Sequence, residues 1–173
     1  MAQRKKIKIG FDLDGVIIGR PPLVPKKFLE RLFRGGKEGL VYRFPTSKFQ
    51  QHLRKLSHHY FFRPPIKENL TFLKKLAQDP DVEVYLISGR YGFLKKETQK
   101  WLNRWGINNG IGGIFLNEEN LPPHLFKEKI IKKLNLDIYL EDDEQIVSFL
   151  KENLPQTKFY WVDDENFNLF NLL

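Results

Sequence analysis

The sequence predicts an α/β protein with a doubly wound, mostly parallel, five-stranded Rossmann-like sheet and a small helical cap insert. Apolar stretches typical of strands alternate with helical patterns, polar clusters follow four of the predicted strands, and one basic segment interrupts the alternation. Strands that are separated by helices require right-handed crossovers and therefore pair in parallel. A chain of 173 residues that is 41% hydrophobic is long enough to bury the core of one such domain.

The first strand lies within residues 6–17, KIKIGFDLDGVI, where apolar residues alternate with lysine and glycine. This strand runs directly into Asp12 and Asp14, and Gly15 follows them. Two carboxylates so close together repel each other, and a hard divalent cation such as Mg²⁺ relieves that repulsion. The alternative is a solvated turn at the Asp-Gly step, without a ligand.

The segment from residue 18 to residue 65 interrupts the sheet and carries the excess positive charge. It holds 11 Lys and Arg against 2 Asp and Glu, a net charge of +9, whereas the whole chain has +8. This asymmetry indicates a polyanionic partner, and the alternative is a solubilising surface. Helical patterns at residues 26–33 and 48–58, with Gly35-Gly36 between them, predict a small, basic, helical cap. We therefore expect a core of residues 1–17 and 66–173 and a cap of residues 18–65.

A regular alternation of helices and strands follows residue 65. Predicted helices cover residues 66–78, 93–105, 123–134, 144–154 and 165–173, and predicted strands cover residues 82–87, 113–116, 137–140 and 158–162. Ligands of such sheets bind beyond the carboxyl ends of the strands. The four polar clusters at those ends are Asp12/Asp14, Ser88-Gly89-Arg90, Asp142/Asp143 and Asp163/Asp164.

The order of these motifs resembles the haloacid dehalogenase (HAD) superfamily. A DxDG motif, a serine at a strand end, a lysine and an acidic pair occur in that order along the whole chain, and the early small cap resembles the 5′-nucleotidase branch. The resemblance implies that Asp12 is a nucleophile that forms an aspartyl-phosphate. It implies that Asp14 is the general acid/base and lends its backbone carbonyl to Mg²⁺. Ser88 would donate a hydrogen bond to the phosphoryl group, and Gly89 would bind the substrate.

Several of the implied roles have alternatives. Ser88 is also suited to cap the next helix, and Arg90 either contacts substrate or lies on the surface. Lys127 is preferred as the phosphate-binding lysine because apolar residues follow it at positions +3 and +7, with Lys129 as the alternative. A solvated lysine face would explain both lysines equally well.

The acidic residues near the carboxyl end of the chain have different expected roles. Asp143 is the first choice for the metal ligand, and Asp142 is expected to support it or to bind the lysine. Asp163 and Asp164 follow the last predicted strand, and we expect them to cap the closing helix.

These features together predict a Mg²⁺-dependent phosphatase that hydrolyses a phosphomonoester, with a nucleotide or another small anionic phosphate as substrate. The alternative is a nucleic-acid-binding protein, including a polynucleotide end phosphatase, that uses the basic cap. Five cap aromatics either stack on bases or form the core of the cap itself: Tyr42, Phe44, Tyr60, Phe61 and Phe62.

The composition excludes several other classes of protein. The chain has no cysteine, so it contains neither a disulfide framework nor a thiolate metal site. No apolar run approaches the length of a membrane span, and the basic start of the sequence lacks the apolar region of a signal peptide. We therefore expect a cytoplasmic protein that has no membrane partner.

Overall fold

The computed structural model describes residues 5–20, 40, 42, 44–107 and 109–162. The predicted helix at residues 26–33 and its Gly35-Gly36 end, the Asp163/Asp164 pair and the predicted closing helix at residues 165–173 lie outside these residues.

Five strands form one sheet, and every pairing among them is parallel. The strands are β1 (Ile7–Phe11), β2 (Val82–Tyr91), β3 (Ile111–Asn117), β4 (Ile138–Glu141) and β5 (Lys158–Trp161). Their order across the sheet is β3-β2-β1-β4-β5. The chain therefore places β2 and β3 on one side of β1, and then β4 and β5 on the other side. The predicted sheet is confirmed, and its topological switch point lies between β1 and β4, where such folds bind ligands.

Five helices are found in the described part of the chain. They are α1 (Lys48–Ser57), α2 (Lys67–Leu76), α3 (Lys95–Arg104), α4 (Pro123–Leu134) and α5 (Glu144–Asn153). Their positions agree with the helical periodicity of the sequence, except that a 3-10 turn, Gly92–Leu94, precedes α3 and delays its start. None of the described helices is long and apolar enough to cross a membrane.

Apolar side chains cover both faces of the sheet, as a doubly wound fold requires. On one face, Phe11 and Leu86 pack with Leu73 of α2 and Trp101 of α3. The opposite face has its own cluster, which includes side chains of α4 and α5. The two layers hold β1 rigidly in the middle of the molecule.

Strand β2 is longer than its apolar run predicts. The sequence indicates an end at residue 87, but the strand continues through Ser88-Gly89-Arg90 to Tyr91. A register shift against β3 lies between Ser88 and Tyr91, and such irregularities redirect side chains next to binding sites. Because α3 begins only at Lys95, Ser88 does not cap it, and that alternative is wrong.

The two ends of the predicted insert lie side by side. Ile18 forms a bridge with Pro65, and the backbone N–H of Gly19 donates to the Pro64 carbonyl at 2.7 Å. Ile18 is fully buried, whereas α1 within the insert contributes no buried residue. Paired ends are what an insertion into a continuous core requires, but the division into core and cap stays a prediction.

Candidate functional site

A pocket with a volume of about 190 Å³ opens at the carboxyl ends of β1, β2 and β4. Asp12 follows β1 directly and is only 3% exposed, and its backbone N–H donates to the Leu140 carbonyl of β4 at 2.9 Å. The other walls come from the end of β2, the first turns of α4 and α5, and the inner face of α1. The pocket therefore occupies the switch point of the sheet.

Lys127 of α4 is paired with two acidic residues inside this pocket. Its Nζ lies 3.0 Å from Asp12 Oδ1 and 2.6 Å from Glu141 Oε2. Burial alone would lower the pKa of Lys127, but Asp12 and Glu141 raise it above its ordinary value, so the ammonium stays charged. Lys129 instead pairs with Glu119 at the exposed surface at 2.7 Å. The geometry favours Lys127 over Lys129, and its contact with phosphate stays a prediction.

Three carboxylates lie together next to this lysine. One oxygen from each of Asp12, Glu141 and Asp142 lies within 4.8 Å of the others. Burial, reinforced by the charge of Asp12, raises the pKa of Asp142 to about 7. Burial also raises the pKa of Asp12 despite its contact with Lys127. Closely spaced carboxylate oxygens are the donor set that Mg²⁺ prefers, and a bound cation would remove the cost of holding them ionised.

Asp143 has a different environment from Asp142. Its Oδ1 accepts hydrogen bonds from the backbone N–H groups of Gln145 and Ile146, at 3.1 and 3.4 Å, and thereby caps α5. Its Oδ2 accepts a hydrogen bond of 2.6 Å from the hydroxyl of Tyr42. The geometry favours Asp142 over Asp143 as the metal ligand, against the order expected from the sequence, because β4 ends at Glu141 and the next helix uses Asp143.

Gly15 allows Asp142 to approach the turn after β1. Its φ angle is +78°, and a Cβ atom there would lie 1.9 Å from Asp142 Oδ2. Both the left-handed backbone and the missing side chain are therefore needed at this position.

We expect Gly15→Ala to lower the free energy of unfolding by about 1–3 kcal/mol through backbone strain alone, and to lower it further through the clash with Asp142. The matched control is Gly106→Ala, because Gly106 has φ +64° but the nearest atom to its added Cβ is Lys74 Nζ at 3.7 Å. Urea unfolding of both variants separates strain from clash. Equal losses in the two variants would show that the Asp142 contact has no energetic effect.

Two arginines hold Asp14. Arg90 donates from Nε to Oδ2 at 2.6 Å and from Nη2 to Oδ1 at 2.7 Å, and Arg63 also donates to Oδ1. Arg90 is anchored in turn by Thr98 Oγ1 at 3.0 Å. Desolvation would raise the pKa of Asp14, but the two guanidinium groups hold it well below its usual range. In this state the carboxylate is ionised and a weak base, so both accepting a proton and donating one require that the arginines first move away.

The remaining predicted residues lie where β2 meets the pocket. Gly89 and Arg90 line the pocket, and Arg90 is only 6% exposed, so its alternative as a surface residue is wrong. Ser88 is 1% exposed, and its Oγ accepts a hydrogen bond from the Arg90 backbone N–H at 3.3 Å. The predicted role of Ser88 at the phosphoryl group stays a prediction.

Sequence reasoning missed four side chains of the site: Arg63, Glu141, Arg54 and His58. Arg54 reaches the pocket from α1, and His58 reaches it from the position directly after that helix. His58 Nδ1 lies 2.9 Å from the Arg54 carbonyl and 3.0 Å from the Ser57 hydroxyl, and the contact with the carbonyl is a hydrogen bond in the tautomer that carries the proton on Nδ1. Burial lowers the pKa of His58 to about 3, and the ring is neutral. Of these four residues, only Glu141 could have been recognised from the sequence, because it lies directly beside Asp142.

No protein-family model matches the sequence, and no curated protein matches it significantly. Solved structures do match it, among them a HAD-family enzyme from Bacteroides thetaiotaomicron in complex with magnesium and inorganic phosphate. That match has a TM-score of 0.57 at 13% identity and covers 97% of this chain and 99% of the other. A haloacid dehalogenase-like family protein from Streptococcus pneumoniae matches with a TM-score of 0.53 at 14% identity, over 96% of this chain and 90% of that one.

A structure of the Pnkp1/Rnl/Hen1 RNA repair complex also matches, with a TM-score of 0.59 at 15% identity. The match covers 96% of this chain but only 45% of that chain, so the present chain spans less than half of its length. At these identities the agreement is one of fold. The chain therefore has the fold of the haloacid dehalogenase-family hydrolases, as the order of its motifs implied.

Proposed function

We propose that the protein is a Mg²⁺-dependent phosphatase that hydrolyses a phosphomonoester through an aspartyl-phosphate on Asp12. One observation carries the proposal: a buried nucleophile candidate has a lysine on one oxygen and two further carboxylates within 4.8 Å. The magnesium and phosphate in the Bacteroides thetaiotaomicron enzyme of the same fold support the assignment.

The chain's own residues divide the chemistry between them. Lys127 holds Oδ1 of Asp12, so the second oxygen attacks phosphorus while the bond to the leaving oxygen breaks. Asp14 exchanges the proton once the arginines have moved off its oxygens. A proton bound to Asp14 goes to the leaving oxygen in the first step, and the attacking water returns a proton to Asp14 in the second. That water breaks the bond between Asp12 and phosphorus and releases inorganic phosphate.

Other residues bind and neutralise the phosphoryl group. Asp12, Asp142 and the Asp14 backbone carbonyl would hold Mg²⁺, which supplies positive charge to the phosphoryl oxygens. Arg90 presents a buried guanidinium to the same pocket, and Lys127 adds a second fixed cation.

Hydrolysis of p-nitrophenyl phosphate tests this proposal directly. We expect turnover with Mg²⁺, loss of turnover with EDTA, and a loss of at least about 10³-fold in Asp12→Asn because the amide is not a nucleophile. Glu152→Gln, an exposed change on α5, is the control and should keep full activity. Turnover that survives Asp12→Asn, or that needs no divalent cation, would contradict the mechanism.

A second candidate function is action on, or binding to, the end of a nucleic acid strand. The basic segment carries a net charge of +9, and Phe61 and Phe62 within it are 71% and 52% exposed. The shared fold with a chain of an RNA repair complex favours the same candidate. Binding of a single-stranded oligonucleotide should then weaken steeply between about 50 and 200 mM salt, whereas binding of a mononucleotide should change little.

A further inference from the structure

A cluster of aromatic rings that the proposed chemistry does not use adjoins the pocket through Tyr91. Tyr91 lines the pocket at the end of β2. The ring of Phe44 contacts it edge-on, with centroids 5.0 Å apart, and Phe93 lies 6.1 Å from Phe44 and 6.3 Å from Tyr91. The Arg54 guanidinium lies 5.6 Å from the centre of the Tyr91 ring. We call Phe44, Tyr91 and Phe93 the aromatic rim.

The aromatic rim has one buried and one open member. Tyr91 is 5% exposed, whereas Phe44, which contacts it, is 39% exposed, so part of the Phe44 ring is accessible next to a lining residue of the pocket.

Tyr42, two residues before Phe44 in the sequence, also reaches the pocket. Its hydroxyl donates to Asp143, and Asp143 lines the same pocket as Tyr91. The aromatic side chains at positions 42 and 44 therefore contact two different lining residues of the pocket, Asp143 and Tyr91.

The size of the pocket limits what lies inside it. Its volume of about 190 Å³ is below the range of roughly 300–1,000 Å³ that is typical of sites enclosing a whole small molecule. The pocket is large enough for a phosphoryl group and the atoms next to it, so the rest of a larger substrate would extend beyond it.

We propose that the aromatic rim binds the planar base of a nucleotide whose phosphate occupies the pocket. This inference rests on the proposed phosphatase function and adds the class of the leaving group. Flat apolar rings stack on bases of any sequence, and the Arg54 guanidinium beside them adds attraction for an electron-rich ring or a neighbouring phosphate. The free nucleotide and the terminal nucleotide of a strand offer the same base, and the test distinguishes them.

The test compares equilibrium binding of a nucleoside 5′-monophosphate with that of ribose 5-phosphate, by calorimetry in the presence of Mg²⁺. Ribose 5-phosphate has the same sugar and phosphate but lacks the base. We expect the wild type to bind the nucleotide at least tenfold more tightly, and Phe44→Ala to reduce this ratio to within about twofold of unity. Phe49→Ala is the matched control because Phe49 is 77% exposed on α1 and is not among the residues that line the pocket; it should keep the wild-type ratio.

A wild-type ratio near unity, or a ratio that Phe44→Ala leaves unchanged, would overturn the inference. Failure of the phosphatase function is a separate result, because it would appear as absent turnover of p-nitrophenyl phosphate while the binding ratio persists. A trinucleotide with a 5′-phosphate forms the third arm. Tighter binding of the trinucleotide than of the mononucleotide identifies a strand end as the source of the base, and equal or weaker binding identifies the free nucleotide.

Discussion

Lys127→Met is expected to lower the free energy of unfolding by about 3–5 kcal/mol and to abolish phosphatase turnover. Removing one partner of a buried ion pair leaves the other charges uncompensated. In this protein the carboxylates that would lose their cationic partner are Asp12 and Glu141, and Asp142 lies close to both. Methionine preserves most of the length and volume of the side chain, so the effect reports on charge and not on a cavity.

Lys129→Met on the same helix is the control. Lys129 is more than half exposed and pairs with Glu119 at the surface, so its loss should change stability by less than about 0.5 kcal/mol. Urea unfolding at pH 8 without divalent cations measures both variants. The deficit of Lys127→Met should shrink toward pH 5, because burial already raises the pKa values of Glu141 and Asp142 and protonation relieves their repulsion. Equal stability of the two variants would contradict the assigned role.

Arg90→Met should lower the free energy of unfolding by about 3 kcal/mol, and Arg90→Lys should lower it by nearly as much. The guanidinium contacts both oxygens of Asp14 in a fork and also reaches Thr98. A lysine ammonium is a point charge and cannot make these three contacts together. Activity should fall at least about 100-fold, since the same group presents positive charge to the pocket.

The pH dependence of this loss follows from the lowered pKa of Asp14. A carboxyl group whose pKa is lower in the folded state than in the unfolded state contributes stability above its ordinary value of about 3.9 and loses it as the pH falls. The difference between wild type and Arg90→Met should therefore be full at pH 7 and decrease below about pH 4. Lys100→Met, on the exposed face of α3, should show neither the loss nor this pH dependence. A difference that stays constant between pH 7 and pH 3 would argue against the ion pair.

The sheet and its helices were predictable because burial imposes a period on the sequence. Helix α4 has the predicted bounds, and Lys127 lies on its buried side while Lys129 is exposed, two positions along. Local periodicity is sufficient for this assignment because both lysines belong to one regular element.

The end of β2 was not predictable from local sequence. Ser88 and Arg90 are polar, so they indicate that the strand stops before them. The strand continues because Ser88 and Tyr91 pair with β3, and Asp14, from a distant part of the chain, neutralises Arg90 there. The contact of Arg63 with Asp14 was missed for the same reason.

Whether Asp142 or Asp143 is the better candidate metal ligand depends on where β4 ends, and a difference of one residue in that end would exchange the two positions. Either aspartate fits the acidic pair of the motif, and both follow the same apolar run. Because β4 ends at Glu141, Asp142 faces Asp12 while Asp143 reaches the helix cap position. Sequence periodicity locates the end of a strand only to within one or two residues, whereas the assignment of Asp142 or Asp143 requires the exact residue.

The central position of β1 affects how the chain folds during synthesis. Strand β1 pairs on one side with β2 and on the other with β4, so that Ile9 meets Val84 and Ile138, and both partner strands are synthesised after it. Until residue 141 has been translated, one edge of β1 has no partner, and unpaired apolar edges invite aggregation. Such long-range pairing also slows folding, because a large loop must close before either contact forms. Nascent chains of this protein are therefore expected to depend on chaperones, and truncations before β4 should accumulate as insoluble material.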